Sequence, residues 1–347
     1  MSSRNADPIR AMSSGGFALL AIAAISSSLA AEEFKLEPAA DYKIVREGRP
    51  AFPALSPDGK YLAIQRATPL TSFEVIEPLS GKTIETIAAG GLVQWLQFSG
   101  DGLTLAVSTC SATDRNQDLK TTFLDVGKWK PRSVLPHEVQ HEGLGLALSP
   151  NGRLLAWCQA MRAAPGKVTV WDGATRQVLA EFGEIRDYRP QGCFSGDNKW
   201  FAVINDPPAI LDLAKKTRTQ LPKPPSPSVT AIALSADGTR VVYGHVSGGL
   251  SLVDVGDNKI VWTKEQLGPS RRSTSAVALS ADGRFVFATS GDSGIWVLGA
   301  KDGNKLGLAS GAEISGSSYL QPSSDGKLLH SRALFPDRAM IWRLTPP

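Results

Sequence analysis

The chain has 347 residues, 42% hydrophobic and 20% charged, with a formal net charge of +4 at pH 7. So mild a balance, spread along the chain, gives no basic face for a nucleic-acid partner. The cysteines, Cys110, Cys158 and Cys193, are odd in number and make no disulfide framework, so they read as small buried hydrophobes.

In chain order, the N-terminus reads as a secretory signal peptide over residues 1–30. Arg4 and Arg10 form a positive region, Phe17 to Ile25 an apolar run, and Ser28-Leu-Ala30 a small-x-small cleavage site. The run is short for a membrane anchor. The expectation is a mature protein outside the cytoplasm, periplasmic or secreted, cleaved near Ala30 and without a membrane span. Residues 31–40 read as a flexible lead, and residues 41–347 as one domain.

That domain repeats one phrase seven times: Leu55-Ser-Pro-Asp-Gly59, Phe98-Ser-Gly-Asp-Gly102, Leu148-Ser-Pro-Asn-Gly152, Phe194-Ser-Gly-Asp-Asn198, Leu234-Ser-Ala-Asp-Gly238, Leu279-Ser-Ala-Asp-Gly283 and Pro322-Ser-Ser-Asp-Gly326. The Asp/Asn positions advance by 43, 50, 46, 40, 45 and 43 residues. A period in the forties built of short strands is that of a β-propeller blade. The fold class is therefore all-β, a seven-bladed propeller of four-stranded antiparallel blades. In each phrase Asp or Asn caps a turn through its side chain, Gly takes the positive φ, and Ser adds a further turn hydrogen bond.

The third repeat shows how one blade reads. Leu144 to Leu148 is the inner strand, Leu154 to Cys158 the second, Val168 to Asp172 the third and Gln177 to Ala180 the outer strand. Continuous apolar runs suit the inner strands, which are covered on both faces, and alternation suits the half-exposed outer one. The last repeat supplies three strands, ending at Leu344. Tyr42 to Glu47 resembles the outer strands elsewhere, so residues 42–47 are expected to complete the last blade and close the ring, removing an open sheet edge.

Val170-Trp-Asp172, with the degenerate Phe123-Leu-Asp125, Ile210-Leu-Asp212 and Leu252-Val-Asp254, resembles the WD-repeat propeller family across the mature chain. The Gly-His half of that family's signature is missing from most blades, and His141 sits roughly where the family places it.

His137-Glu-Val-Gln-His141 matches a zinc-protease pattern, which needs both imidazoles on one helical face. Pro136, Gly143 and Gly145 make a connector here, so no metal and no cofactor is assigned, and His137 and His141 are kept for a metal assay. In this fold the connections between second and third strands share a face with those between blades. On that loop face the binding candidates are Arg66, Arg115, Arg162, His245, Asp292 and Arg332, then Arg186, Tyr188, Arg189 and Arg271, because Arg and Tyr on a rigid face make good anchors. No nucleophile elbow, phosphate loop or dinucleotide fingerprint occurs.

Three readings of function follow. The leading one is an exported, monomeric, non-enzymatic scaffold whose loop face binds a protein partner in the cell envelope. The second is an enzyme or cofactor-binding propeller acting at the central channel, similar to lactonases or quinoprotein dehydrogenases. The third is an envelope structural protein that recognises glycan. Fold alone does not choose among them.

Overall fold

The structure is a computed structural model that describes residues 33–44, 52–114, 117–137, 143–160, 165–185, 191–269, 272–290, 294–309, 319–334 and 337–347. The signal-peptide reading therefore lies outside the described residues.

Seven four-stranded antiparallel sheets are arranged as a ring of blades. Their inner strands are β2 (Ala54–Leu55), β6 (Leu92–Phe98), β10 (Gly143–Leu148), β14 (Gly192–Phe194), β18 (Val229–Leu234), β22 (Thr274–Leu279) and β26 (Tyr319–Pro322). The core is divided by seam. Seven buried clusters each join two neighbouring blades, such as Ala156, Cys158 and Val170 of the third against Phe201, Val203 and Leu211 of the fourth. Stability is thus built one inter-blade layer at a time. The outer strand β5 (Thr83–Ala88) is exposed along most of its length, as a strand with one wet face should be.

All seven turns are alike. The serine hydroxyl donates to Oδ1 of the Asp or Asn two residues on, at 2.5–2.7 Å, and accepts the backbone N–H five residues on, at 2.8–3.0 Å. The same Oδ1 takes a second backbone N–H, as Asp58 does from Lys60 at 3.1 Å. The last residue of each phrase has φ between 61° and 73°, with Asn198 standing where the others have Gly. The Asp ending the third strand is also a turn cap: Asp172 accepts the N–H groups of Ala174 and Thr175, both at 2.9 Å, and pairs with Arg153.

The ring closes through an N-terminal strand, but seven residues earlier than expected. β1 (Lys35–Lys43) pairs antiparallel with β28 (Asp337–Thr345), from Lys35 opposite Thr345 to Lys43 opposite Arg338. Of the expected 42–47, residues 45–47 lie outside the described ones. From Phe34 on, the predicted lead is part of the fold. Phe34 is buried, with its ring 4.9 Å from Phe285. Pro38 and a register shift between Pro38 and Ala40 broke the alternation that would have marked this strand.

Candidate functional site

The up-and-down order puts every Ser-x-Asp-Gly turn on one face of the ring, and the connections into the inner and third strands on the other. Each inner strand therefore runs from the loop face to the turn face. Counting back from its serine fixes the depth of each side chain. Four residues before stand Phe52, Trp95, Gly145, Gln191, Ala231, Ala276 and Tyr319. Two residues before stand Ala54, Gln97, Ala147, Cys193, Ala233, Ala278 and Gln321. All of these except Ala54 line an axial channel of about 1130 Å³.

The channel wall is lopsided. Tyr319, Phe52 and Trp95 come from the seventh, first and second blades, consecutive around the ring, and the Phe52 and Tyr319 ring centres are 5.9 Å apart. Across from them the same position is Gly145, Ala231 or Ala276. An aromatic arc thus faces an arc of small residues near the loop face. Gln191, on the fourth blade, is exposed in the lumen.

One step deeper, side chains clamp neighbouring strands. The inner edge of a blade has no further strand to pair with, so its backbone groups need other partners. Gln321 Nε2 donates to Leu55 O at 2.7 Å, and Gln321 Oε1 accepts Leu55 N–H at 2.9 Å. Gln97 Oε1 accepts Leu148 N–H at 3.0 Å. Cys193 holds the same position and bonds the backbone of Leu234; burial nonetheless pushes its thiol up to about 12, so it stays protonated. Each contact runs from one blade to the next.

At the turn face the mouth is built from the third residue of each phrase, Pro57, Gly100, Pro150, Gly196, Ala236, Ala281 and Ser324. Neighbouring turns are tied: Asp101 N–H to Pro150 O at 2.8 Å, Asn151 N–H to Asn198 Oδ1 at 3.0 Å, Gly196 N–H to Ala236 O and Ser324 N–H to Pro57 O, both at 2.7 Å. The approach is close enough that a Cβ on Gly196 would lie 2.6 Å from Ala236 O.

Four of the candidates drawn from sequence fall within the described residues. Arg66 is folded back on its own blade, pairing with Glu74 and donating to Thr83 Oγ1 at 3.0 Å. His245 and Arg332 are inside the protein, at 1% and 4% exposure, and so do not stand on the loop face as expected. His245 ends a buried strand, and burial lowers its pKa to about 4. Arg332 pairs with Asp337 at 3.0 Å, and its guanidinium lies 4.2 Å from the Phe52 ring centre, buttressing the aromatic arc from behind. His137 is 8% exposed and lines the channel, with burial lowering its pKa to about 4. Arg115, Arg162, Arg186, Tyr188, Arg189, Arg271, Asp292 and His141 lie outside the described residues.

Sequence reasoning passed over the aromatic arc and the glutamine clamps, although the repeats carried the signal. Stacked in register, they read Ala at the clamp position except for Gln97, Cys193 and Gln321. Among the described residues that line the channel, Asp101 alone is charged, and it is held in its turn by Ser99 and Leu103 N–H. No group of three or more His, Cys, Asp or Glu able to hold a metal occurs among the described residues. No protein-family model matches the chain, and no curated protein matches it.

Proposed function

We propose that this protein is an exported, non-enzymatic propeller of WD-repeat type that binds a protein partner at its loop face, with the channel mouth as the anchoring pocket. The observation that carries this reading is the lopsided wall. Tyr319, Phe52 and Trp95 form one arc, and Gly145, Ala231 and Ala276 leave room opposite them. A structural repeat alone would make these positions alike. Rigid aromatics in a concave setting are the groups that anchor a partner's apolar side chain. The clamps beneath hold the wall in place, so little ordering cost remains on binding.

The test uses Gln191→Trp, which fills the lumen from an exposed position. Full-length wild-type and variant proteins are purified in parallel from the native cell envelope. A partner retained in stoichiometric amount by wild type and lost by the variant, at unchanged melting temperature, supports the reading. A partner retained equally by both sinks the channel mouth as the anchor. Turnover of substrate by wild type, abolished by the same variant, favours the enzyme reading instead.

A further inference from the structure

At the cap position the third turn departs from the other six. They carry Asp and it carries Asn151, which alone among the asparagines of the chain is followed by glycine. The amide carbon of an asparagine is open to attack by the backbone nitrogen of the next residue, and glycine leaves that nitrogen least crowded. The closed turn occupies both groups. Asn151 is exposed, but its Oδ1 accepts from Ser149 Oγ at 2.7 Å and from Arg153 N–H at 3.1 Å. Gly152 is buried, and its N–H is spent on Ser149 O at 2.9 Å.

The second blade holds Gly152 down. A Cβ at this glycine would lie 2.5 Å from Thr104 Oγ1, so the turn fits there with no slack. Arg132 Nη2 donates to Thr104 Oγ1 at 3.3 Å and to Gly152 O at 3.4 Å. Just upstream, Gln97 Oε1 holds Leu148 N–H at 3.0 Å. Local openings cost anything from almost nothing to the full unfolding free energy, so one seam can open while the rest of the ring stays shut.

We propose that Asn151 is a site of spontaneous deamidation that the closed third turn holds in check, so that its conversion records opening of the seam between the second and third blades. When the turn opens, Gly152 N loses its proton to solvent base and attacks Asn151 Cγ. A Cγ–N bond forms, the Cγ–Nδ2 bond breaks, and ammonia leaves with a proton from water. Water then opens the succinimide at either carbonyl, giving aspartate or isoaspartate. The six other turns show that aspartate fits, since each Oδ1 there accepts the same two donors. Isoaspartate adds a carbon to the main chain just before Gly152, where there is no room for it. The site stands on its own contacts and does not depend on a partner at the channel mouth.

The full chain is incubated at pH 8, folded and in urea, and the peptide holding residue 151 is followed by mass spectrometry, with isoaspartate assayed enzymatically. In urea Asn151 should convert first among the asparagines, and in the folded chain at least tenfold more slowly. Gln97→Leu loosens this seam and should quicken the folded rate about fivefold, with the urea rate unchanged. Gln321→Leu loosens the seam between the last and first blades, costs more stability, and should leave the folded rate as in wild type. After refolding, chains with aspartate at 151 should melt as wild type does, and those with isoaspartate at a lower temperature. The comparison of folded and urea rates needs the wild-type chain alone, so it stands even if a variant fails to fold. Equal rates in the two states, or another asparagine converting first in urea, overturns the site. A greater quickening by Gln321→Leu than by Gln97→Leu means that global unfolding governs the reaction, and overturns the seam.

Discussion

The two ends of the channel are built to different rules. At the turn face seven copies of one motif repeat the same serine and carboxylate or amide hydrogen bonds, and neighbouring copies are tied by backbone N–H groups. Four residues away along the same inner strands, the side chains run from Gly145 to Trp95. A repeat protein needs uniformity where each unit docks on the next, and has freedom where nothing is docked. The turn end therefore carries stability, and the loop end carries whatever distinguishes this propeller from another.

Acid should separate the largest effects. Burial lowers His137 and His245 to about 4 and His330 to about 3, with the Arg332 charge adding to the last. A histidine whose folded pKa is depressed contributes stability in full above its unfolded value near 6.5, and loses it as pH falls towards the folded value. Each should add a slope of about 1.4 kcal/mol per pH unit across that window. The turn carboxylates act later. At Asp58, Asp197, Asp282 and Asp325 burial pushes the pKa up, but hydrogen bonds from serine and backbone, with a neighbouring cation, outweigh it and hold the pKa below normal. At Asp237 the Ser235 hydroxyl is the main cause, in the same direction. Their contribution is complete above pH 3.8 and is lost only below it. Thermal midpoints from pH 8 to pH 3 should fall first between 6.5 and 4, then again below 3.8. A midpoint flat down to pH 4 would contradict the buried histidines.

Breaking one turn comes next. Gly238 has φ 73°, and a Cβ there would meet Trp200 Cδ1 at 2.8 Å. Gly238→Val adds a left-handed β-branched residue to a contact with no room, costing about 2–4 kcal/mol. Urea unfolding should show the midpoint drop with the slope unchanged. Gly90, also at positive φ but with nothing within 4 Å of a Cβ, is the control that isolates the backbone share.

The clamps test the seam between the ends. Gln321→Leu removes two hydrogen bonds to Leu55 and leaves both backbone groups facing the channel, for about 2 kcal/mol. Gln97→Leu removes one bond and should cost about half as much. Equal costs, read from urea midpoints, would mean that water replaces the amide at the edge of the first blade.

What was legible in the sequence follows the same division. The Ser-x-Asp-Gly phrase is local chemistry, closed within six residues, so blade number, turn form and strand order could be read without knowing any neighbour. Closure was visible as a missing outer strand, yet its location was not. Pro38 and the adjacent bulge hide the period of β1, and only the partner strand Asp337–Thr345 shows which residues pair. Arg332 and His245 looked like surface anchors because a sequence shows a strand's end but not the wall packed over it. The aromatic arc is a relation between blades, and Tyr319 and Phe52 become neighbours only once the ring is shut.

The smallest predicted effects lie at the two ends of one strand and bear most directly on the comparison. Asn198 closes the fourth turn with φ 61°, and its Oδ1 accepts Asn151 N–H. Asn198→Gly relieves a conformation that glycine adopts more readily, but frees the unfolded chain and removes an exposed tie to the third blade. The opposing terms should leave stability within about 0.5 kcal/mol of wild type. Gln191→Trp, at the loop end of the same strand, adds bulk to an exposed position and should also leave stability within about 0.5 kcal/mol. The two differ in what they do to binding. A turn that only docks blades should leave ligand and partner affinity untouched when Asn198 is changed. A lumen that receives a partner should lose it when Gln191 becomes tryptophan. If Asn198→Gly alters binding as much as Gln191→Trp, the two ends are coupled through the strand, and the division of labour between them is false.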